Sequence, residues 1–374
     1  MRLKPWNWQQ EGWGNFTYSK EELDALTSTY REKLAMLTGM LVAIDPSSRE
    51  DVRVEEWAVE AVSTSIIEGE ALNLEEVRSS VRRQLGLGGT MVPIHDLRVI
   101  GISQMLALSR QDVLAPLTQE HLWAWQKALL SYRNDLSDVG RWRTHPEPMQ
   151  VLSGPMGRER IHFEGPPSAK VAEFMDNFLS WFNKTTPNQD QSIHPVIRSG
   201  IAHLWFESIH PFEDGNGRVG RAVAEKALAQ DVGEPLPFSL SIIIESRRKE
   251  YYSALEKAQR SNEITAWLVF FTSIIFQAMA DAETRVRFVI RKARFLARFA
   301  SQLNERQYKA ILRMFDAGPV GFEGGMNTRK YMGITRASKA TATRDLQELV
   351  QLGALVPKGQ GRGTRYELSI LEGV

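Results

Sequence analysis

Apolar positions recur three and four apart along most of the first 300 residues, the spacing that lines one face of a helix. After Ser168, a ready N-cap, come Val171, Phe174, Met175, Phe178 and Phe182 at that spacing. Ile197, Ile201, Leu204 and Trp205 mark one side of a second helix over about residues 192–208. Val54, Trp57, Ala58, Ala61, Val62 and Ile66 trace a third stripe. Ile264 to Ala280 is 17 residues without a charge, the lower limit for a bilayer span. Thr265, Thr272, Ser273 and Gln277 interrupt it and Glu263 and Asp281 bound it, so a buried core helix is expected and no membrane partner. Residues 140–167 read differently. Gly and Pro punctuate two β-prone pieces, Met149–Leu152 and Ile161–Phe163, which predicts a hairpin with an irregular tip.

The pattern changes again at Leu303. Helices are expected at Glu305–Phe315, Thr328–Met332 and Ser338–Leu352, then β-prone Ala354–Val356 and Thr364–Leu368 around the loop Lys358–Gly363. Three helices and a glycine-tipped hairpin resemble a winged helix. From Leu303 onward 11 Lys/Arg stand against 7 Asp/Glu, a net +4, which leaves −3 for the rest. Arg336, Lys339, Arg344, Lys358, Arg362 and Arg365 are candidates to face DNA phosphates. Such modules also dock proteins or dimerise, and a modest charge does not decide between these uses.

At 374 residues the chain is long enough for two or three domains. Its 43% hydrophobic content excludes global disorder, and a net charge of +1 excludes a nucleic-acid coat. There is no cysteine, so disulfide scaffolds and thiolate zinc sites are ruled out. That fits a reducing compartment, and a cytoplasmic location is expected. The opening MRLKPWNWQQEGW lacks the apolar stretch of a secretory signal. Trp6, Trp8 and Trp13 read as packing residues.

Candidate chemistry concentrates in His210–Arg221, HPFEDGNGRVGR. Gly215 and Gly217 permit a tight turn with open backbone N–H groups. If a helix starts near Arg218, those groups sit at its N-terminus, where an anion is favoured. Asp214 offers oxygen to a divalent cation, Arg218 and Arg221 offer forks to phosphate, and His210 is suited to take a proton from a hydroxyl. The assembly reads as a phosphate-handling site with its own base. His194, His203 and His210 lack the three- or four-residue spacing of a metal-binding helix face.

The second candidate is Glu68, which projects from the flank of the 54–69 stripe with Thr64 one turn behind and Gly69 as a C-terminal stop. A carboxylate there either bridges to a surface lysine or meets a buried cation.

The 210–221 run resembles the signature of the Fic family, His-x-Phe-x-Asp/Glu-Gly-Asn-Gly-Arg-x-x-Arg, at all eight specified positions. The resemblance implies a mainly α fold: a Fic-type helical core with a small β-hairpin flap, joined to the C-terminal winged-helix (α+β) domain. The expected divisions are 1–90 for an N-terminal helical region, 91–284 for the core, 285–302 for a linker helix and 303–374 for the winged helix. It implies an adenylyltransferase that moves AMP from ATP, with Mg²⁺, to a Ser, Thr or Tyr hydroxyl of a target protein. His210 would be the base and Asp214 the Mg²⁺ ligand. Asn216, with N–H groups around Gly215 and Gly217, would meet the α-phosphate. Arg218 would grip the β/γ-phosphates and Arg221 the γ-phosphate, while Phe212 anchors the loop. Tyr252 and Leu255 would line the adenine site, and the hairpin would register the target segment by strand addition. Thr64-x-x-x-Glu68-Gly69 resembles the family's inhibitory motif, which implies that Glu68 competes for Arg221. Related cores often dimerise. Removal of AMP by the same site, transfer of UMP or a phosphodiester headgroup, and a nucleotide-sensing DNA-binding regulator stand as alternatives.

Overall fold

The computed structural model describes residues 5–369 except 90, 154–159, 188, 190 and 191. Helices dominate the described residues. The chain falls into two compact units, Met1–Met36 with Arg53–Ala280, and Leu37–Val52 with Asp281–Val374. Most of the N-terminal region packs within the same unit as the site, because its apolar stripes are buried there.

In chain order come α1 (Lys20–Thr27), α2 (Tyr30–Val42), α3 (Pro46–Ile67) and α4 (Leu74–Gln84), of which the end of α2 and the start of α3 belong to the second unit. Helix α3 starts on a proline, whose missing N–H costs nothing at that position. Its last turn tightens, with Glu68 N bonding Ser65 O and Gly69 N bonding Ile66 O. Gly69 then takes φ 84°, a left-handed stop that a side chain would strain. Glu68 therefore sits just past the helix end, not within it. Asn73, Asp96 and Thr118 cap α4, α5 (Leu97–Arg110) and α6 (Gln119–Leu130) by accepting backbone N–H bonds.

The hairpin forms as expected from β1 (Gln150–Ser153) and β2 (Arg160–Glu164), antiparallel, with Val151 opposite Phe163 and Leu152 opposite Ile161. His162 is the extra residue of that step, a bulge that twists the ribbon. The predicted irregular tip, 154–159, lies outside the described residues.

Helices α7 (Ser168–Lys184), α8 (Pro195–Ile209) and α9 (Asn216–Val232) follow. In α7 the stripe Val171, Met175, Phe178 and Phe182 is buried as its spacing requires. Helix α8 departs from the expected one-sided pattern: every residue from Pro195 to Ile209 is buried. It is central, so its polar side chains need internal partners. Arg198 donates to the Ala227 and Phe182 carbonyls, and Ser199 donates to Ala224 O.

Helices α10 (Leu240–Ser246) and α11 (Arg248–Ala258) lead into α12 (Thr265–Phe299). The charge-free segment and the expected linker helix at 285–302 are one continuous helix to Phe299, since no Gly or Pro interrupts them. Helix α12 is long and apolar enough to cross a membrane by length and composition. Its apolar side is nevertheless consumed by protein: Trp267, Leu268, Phe271, Ile274, Ile275 and Ala278 are buried.

The second unit contains α13 (Glu305–Phe315), α14 (Thr328–Thr335), α15 (Lys339–Gln351) and an antiparallel pair, β3 (Leu355–Lys358) and β4 (Arg365–Leu368). Ile311, Phe315, Tyr331, Leu346, Leu349 and Leu355 fill its core. Arg336, Lys339, Arg344, Lys358 and Arg365 are exposed, and the side chain of Arg362 lies outside the described residues.

Candidate active site

Helix α8 ends and α9 begins within seven residues, and the loop between them carries the chemistry. His210 closes α8 in the left-handed region at φ 51°, with its N–H on Phe206 O. Gly215, at φ 86°, opens α9; a side chain there would also press on Leu129 and Leu130. Phe212 is fully buried against Phe206 and Trp142, an anchor and not a ligand-facing ring. The Asn216 side chain closes the loop, accepting from Phe212 N at 2.9 Å and donating to Phe212 O at 2.8 Å. Its carbonyl and one amide hydrogen are engaged in closing the loop, which leaves its second amide hydrogen beside the cavity that Asn216 lines.

A second loop, unread in the sequence, braces the first. Arg143 donates from N to Pro211 O and from Nε to His210 O, and its other arm reaches Pro166 O beyond β2. Glu213 accepts from Ser137 N and Asp138 N, and Gln126 donates to Asp214 O. Asp214 pairs with Arg133 at 3.0 Å.

His210 is 12% exposed and lines a cavity of about 660 Å³ with Glu68, Asp214, Gly217, Arg221, Tyr252 and Leu255. Burial, and then the charge of Arg143, push its imidazole down to about 4, so it is neutral at pH 7. Its Nδ1 lies 3.4 Å from the carbonyl of Glu207, an acceptor that suits the tautomer with the proton on Nδ1 and the lone pair on Nε2. Glu207, one turn back, is buried; burial raises its carboxyl to about 8, and Oε1 has no hydrogen-bond partner. The other histidines do separate work. His203 is fully buried between Gly220 O and the Tyr251 hydroxyl, and His194 caps α8.

Both motif arginines are held by the segment that ends α3. Arg221 donates to Thr64 Oγ1 at 2.8 Å, Thr64 O at 3.1 Å and Glu68 Oε1 at 2.8 Å. Arg218 donates to Glu70 Oε2 at 2.8 Å and approaches Asp214 at 3.8 Å. Glu68 also lies on the first turn of α9: a Cβ added to Gly217 would fall 2.3 Å from its Oε1. Its carboxylate thus occupies ground that favours an anion. Burial alone would raise the Glu68 carboxyl. Arg221, helped by Arg218 and His210, outweighs burial and leaves it below the ordinary carboxylate range. Tyr252 lines the cavity and donates to Ile67 O at 3.4 Å, and Leu255 is buried beside it.

Residues 116–228 match the Fic/DOC family, and residues 6–87 match a domain of unknown function (DUF4172). The protein adenylyltransferase Fic of Drosophila mojavensis is 27% identical over 199 residues, which are 52% of this chain and 35% of that protein. Its counterpart in Drosophila grimshawi is 27% identical over the same share of this chain and 37% of its own. The matched region spans little more than a third of these relatives. A Fic family protein from Desulfovibrio desulfuricans superposes with a TM-score of 0.52 at 19% identity, covering 92% of this chain and 95% of that one. Fic-1 from C. elegans gives 0.51 at 19%, covering 73% and 76%. The fold is therefore of the Fic type, and Glu68 and Glu70 lie outside the segment that matches the Fic/DOC family.

Proposed function

We propose that this protein is an autoinhibited adenylyltransferase that joins the α-phosphate of ATP to a protein hydroxyl and releases pyrophosphate. The observation that carries this reading is the placement of His210 beside the N-terminus of α9, in one cavity with Glu68, Asp214, Gly217 and Arg221. His210 Nε2 accepts the proton of the attacking Ser, Thr or Tyr hydroxyl as the new P–O bond forms and the bond to pyrophosphate breaks. The backbone N–H groups at Asn216 and Gly217 face the charge that develops on the α-phosphate, while that of Gly215 is taken by Asp214. Arg218 and Arg221 hold the outgoing phosphates, each through a guanidinium fork.

Asp214 fits a magnesium ion, which takes one or two carboxylates and completes its shell with water and phosphate oxygens. Its carboxylate is 35% exposed at the cavity and has lone pairs beyond those bonded to Gly215 N and Arg133. A bound Mg²⁺ there neutralises charge on the leaving phosphates.

The brake has two carboxylates. Glu68 holds Arg221 and Glu70 holds Arg218, so both phosphate-binding arginines are engaged by the end of α3. One fork does not serve two anions at once. Intact mass after incubation with ATP and Mg²⁺ tests the reading. Glu68→Gly gains an adenylate and wild type gains little; a variant that stays at its starting mass with every protein acceptor offered refutes it.

A further inference from the structure

The first described residues are wedged between the hairpin and the end of α8. Trp6 stands edge-on to Phe163 of β2, with centroids 5.1 Å apart, and the Phe163 ring lies 6.2 Å from that of His210. Trp8 Nε1 donates to Glu164 O at 2.8 Å, the last residue of β2. Asn7, fully buried, donates from its side chain to Ser208 Oγ at 3.0 Å, two residues before His210. Its backbone N–H goes to Gln259 O, and Gln259 in turn donates to Glu207 O. Arg260 covers the Trp6 ring at 3.0 Å.

Three consecutive residues thus join β2, the C-terminal turn of α8 and the residue that follows α11. A two-stranded hairpin is marginal without such support. Other bonds at this hairpin include Gly165 N to Met149 O, Arg143 to Pro166 O, and the pairing of Arg160 and His162 with Glu256. The Trp6–Phe163 contact reaches the His210 ring through a side chain of β2.

We infer that Trp6-Asn7-Trp8 is a positioning element: it sets the height and angle of the β1–β2 hairpin over His210, and so the reach of an acceptor hydroxyl to Nε2. This rests on the transferase reading. It gives a task to the start of the domain of unknown function, whose end carries the arginine clamp. Placement at this scale matters, since an acceptor displaced by about 1 Å loses roughly a hundredfold in rate.

The test compares Trp8→Phe, which deletes one N–H, Trp6→Leu, which deletes the aromatic edge, and Trp6→Phe, which keeps it. Each is made in the full chain with and without Glu68→Gly. Hydrogen exchange at 150–153 and 160–164 quickens about fivefold in Trp8→Phe and Trp6→Leu, the factor for a hydrogen bond of about 1 kcal/mol, while α9 is unaffected. Trp6→Phe stays near wild type. In the Glu68→Gly background, auto-adenylylation kcat falls about tenfold in the first two variants at an unchanged KM for ATP. Unchanged exchange in the hairpin overturns the inference, as does a raised KM for ATP with kcat intact. A Glu68→Gly parent that transfers no AMP refutes the transferase reading instead, and hairpin exchange then decides the anchoring by itself.

Discussion

Replacing Glu68 with glycine removes one of the three acceptors that hold Arg221 and uncovers the first turn of α9. The bare Coulomb attraction across 2.8 Å is about 6 kcal/mol at an effective dielectric of roughly 20. Most of that is offset by desolvation of both ions, so it overstates the clamp. A hydrogen bond to a charged group is worth about 1.5–3 kcal/mol net, which is the better measure here. At 1.4 kcal/mol per tenfold, release raises the population of free Arg221 about 10- to 100-fold. The two bonds to Thr64 survive, so the lower half of that range is the safer expectation. Auto-adenylylation with α-labelled ATP reads the rate, and calorimetry reads nucleotide affinity. Glu68→Gln, which keeps the bulk and loses the charge, should fall between the two. Rates for Glu68→Gly within twofold of wild type, at equal ATP affinity, would mean that the pair is structural.

Glu70→Gln weakens the hold on Arg218 and should raise transfer less than Glu68→Gly, about 3- to 10-fold, because Asp214 still faces that arginine; a double variant no faster than Glu68→Gly alone would deny Glu70 a share in the brake. The acid limb of transfer should lie near pH 4–5, since protonation of His210 is opposed by burial, and Glu68→Gly should move it lower by removing a nearby negative charge; a limb at pH 6.5 or above contradicts a buried neutral base. Glu207 has its carboxyl raised to about 8, so between about 4.5 and 8 the unfolded chain releases a proton that the folded one keeps, and stability falls as pH rises. Glu207→Gln removes that penalty and should lift Tm by a few degrees more at pH 8 than at pH 5, read by calorimetry; an equal effect at both pH values would show that the group titrates normally.

What the sequence disclosed was local. The loop from His210 to Arg221 is contiguous, so its turn and the start of α9 follow from two glycines and a helical pattern. Glu68 was legible because a stripe ends beside it and Gly69 follows. Glu70, Arg133 and Arg143 were not, because their partners lie 67 to 148 residues away and charge pairs have no period. The loop-closing bonds of Asn216 were hidden for a related reason: its side chain turns back to Phe212, four residues earlier, which residue type alone does not reveal. The tryptophans of the N-terminus read as packing and do pack, Trp13 on Phe174 and Trp205 but Trp6 and Trp8 on the hairpin beside the base.

The proton-transfer step is reached most directly by His210→Ala in the Glu68→Gly background, with AMP transfer and ATP affinity measured on the same sample. General-base catalysis is worth about 10²–10⁴ in rate, so transfer should drop by at least a hundredfold while the dissociation constant for ATP stays within about twofold. Transfer at the parent rate, or loss of ATP binding in step with loss of transfer, would contradict the assignment of His210 as the base.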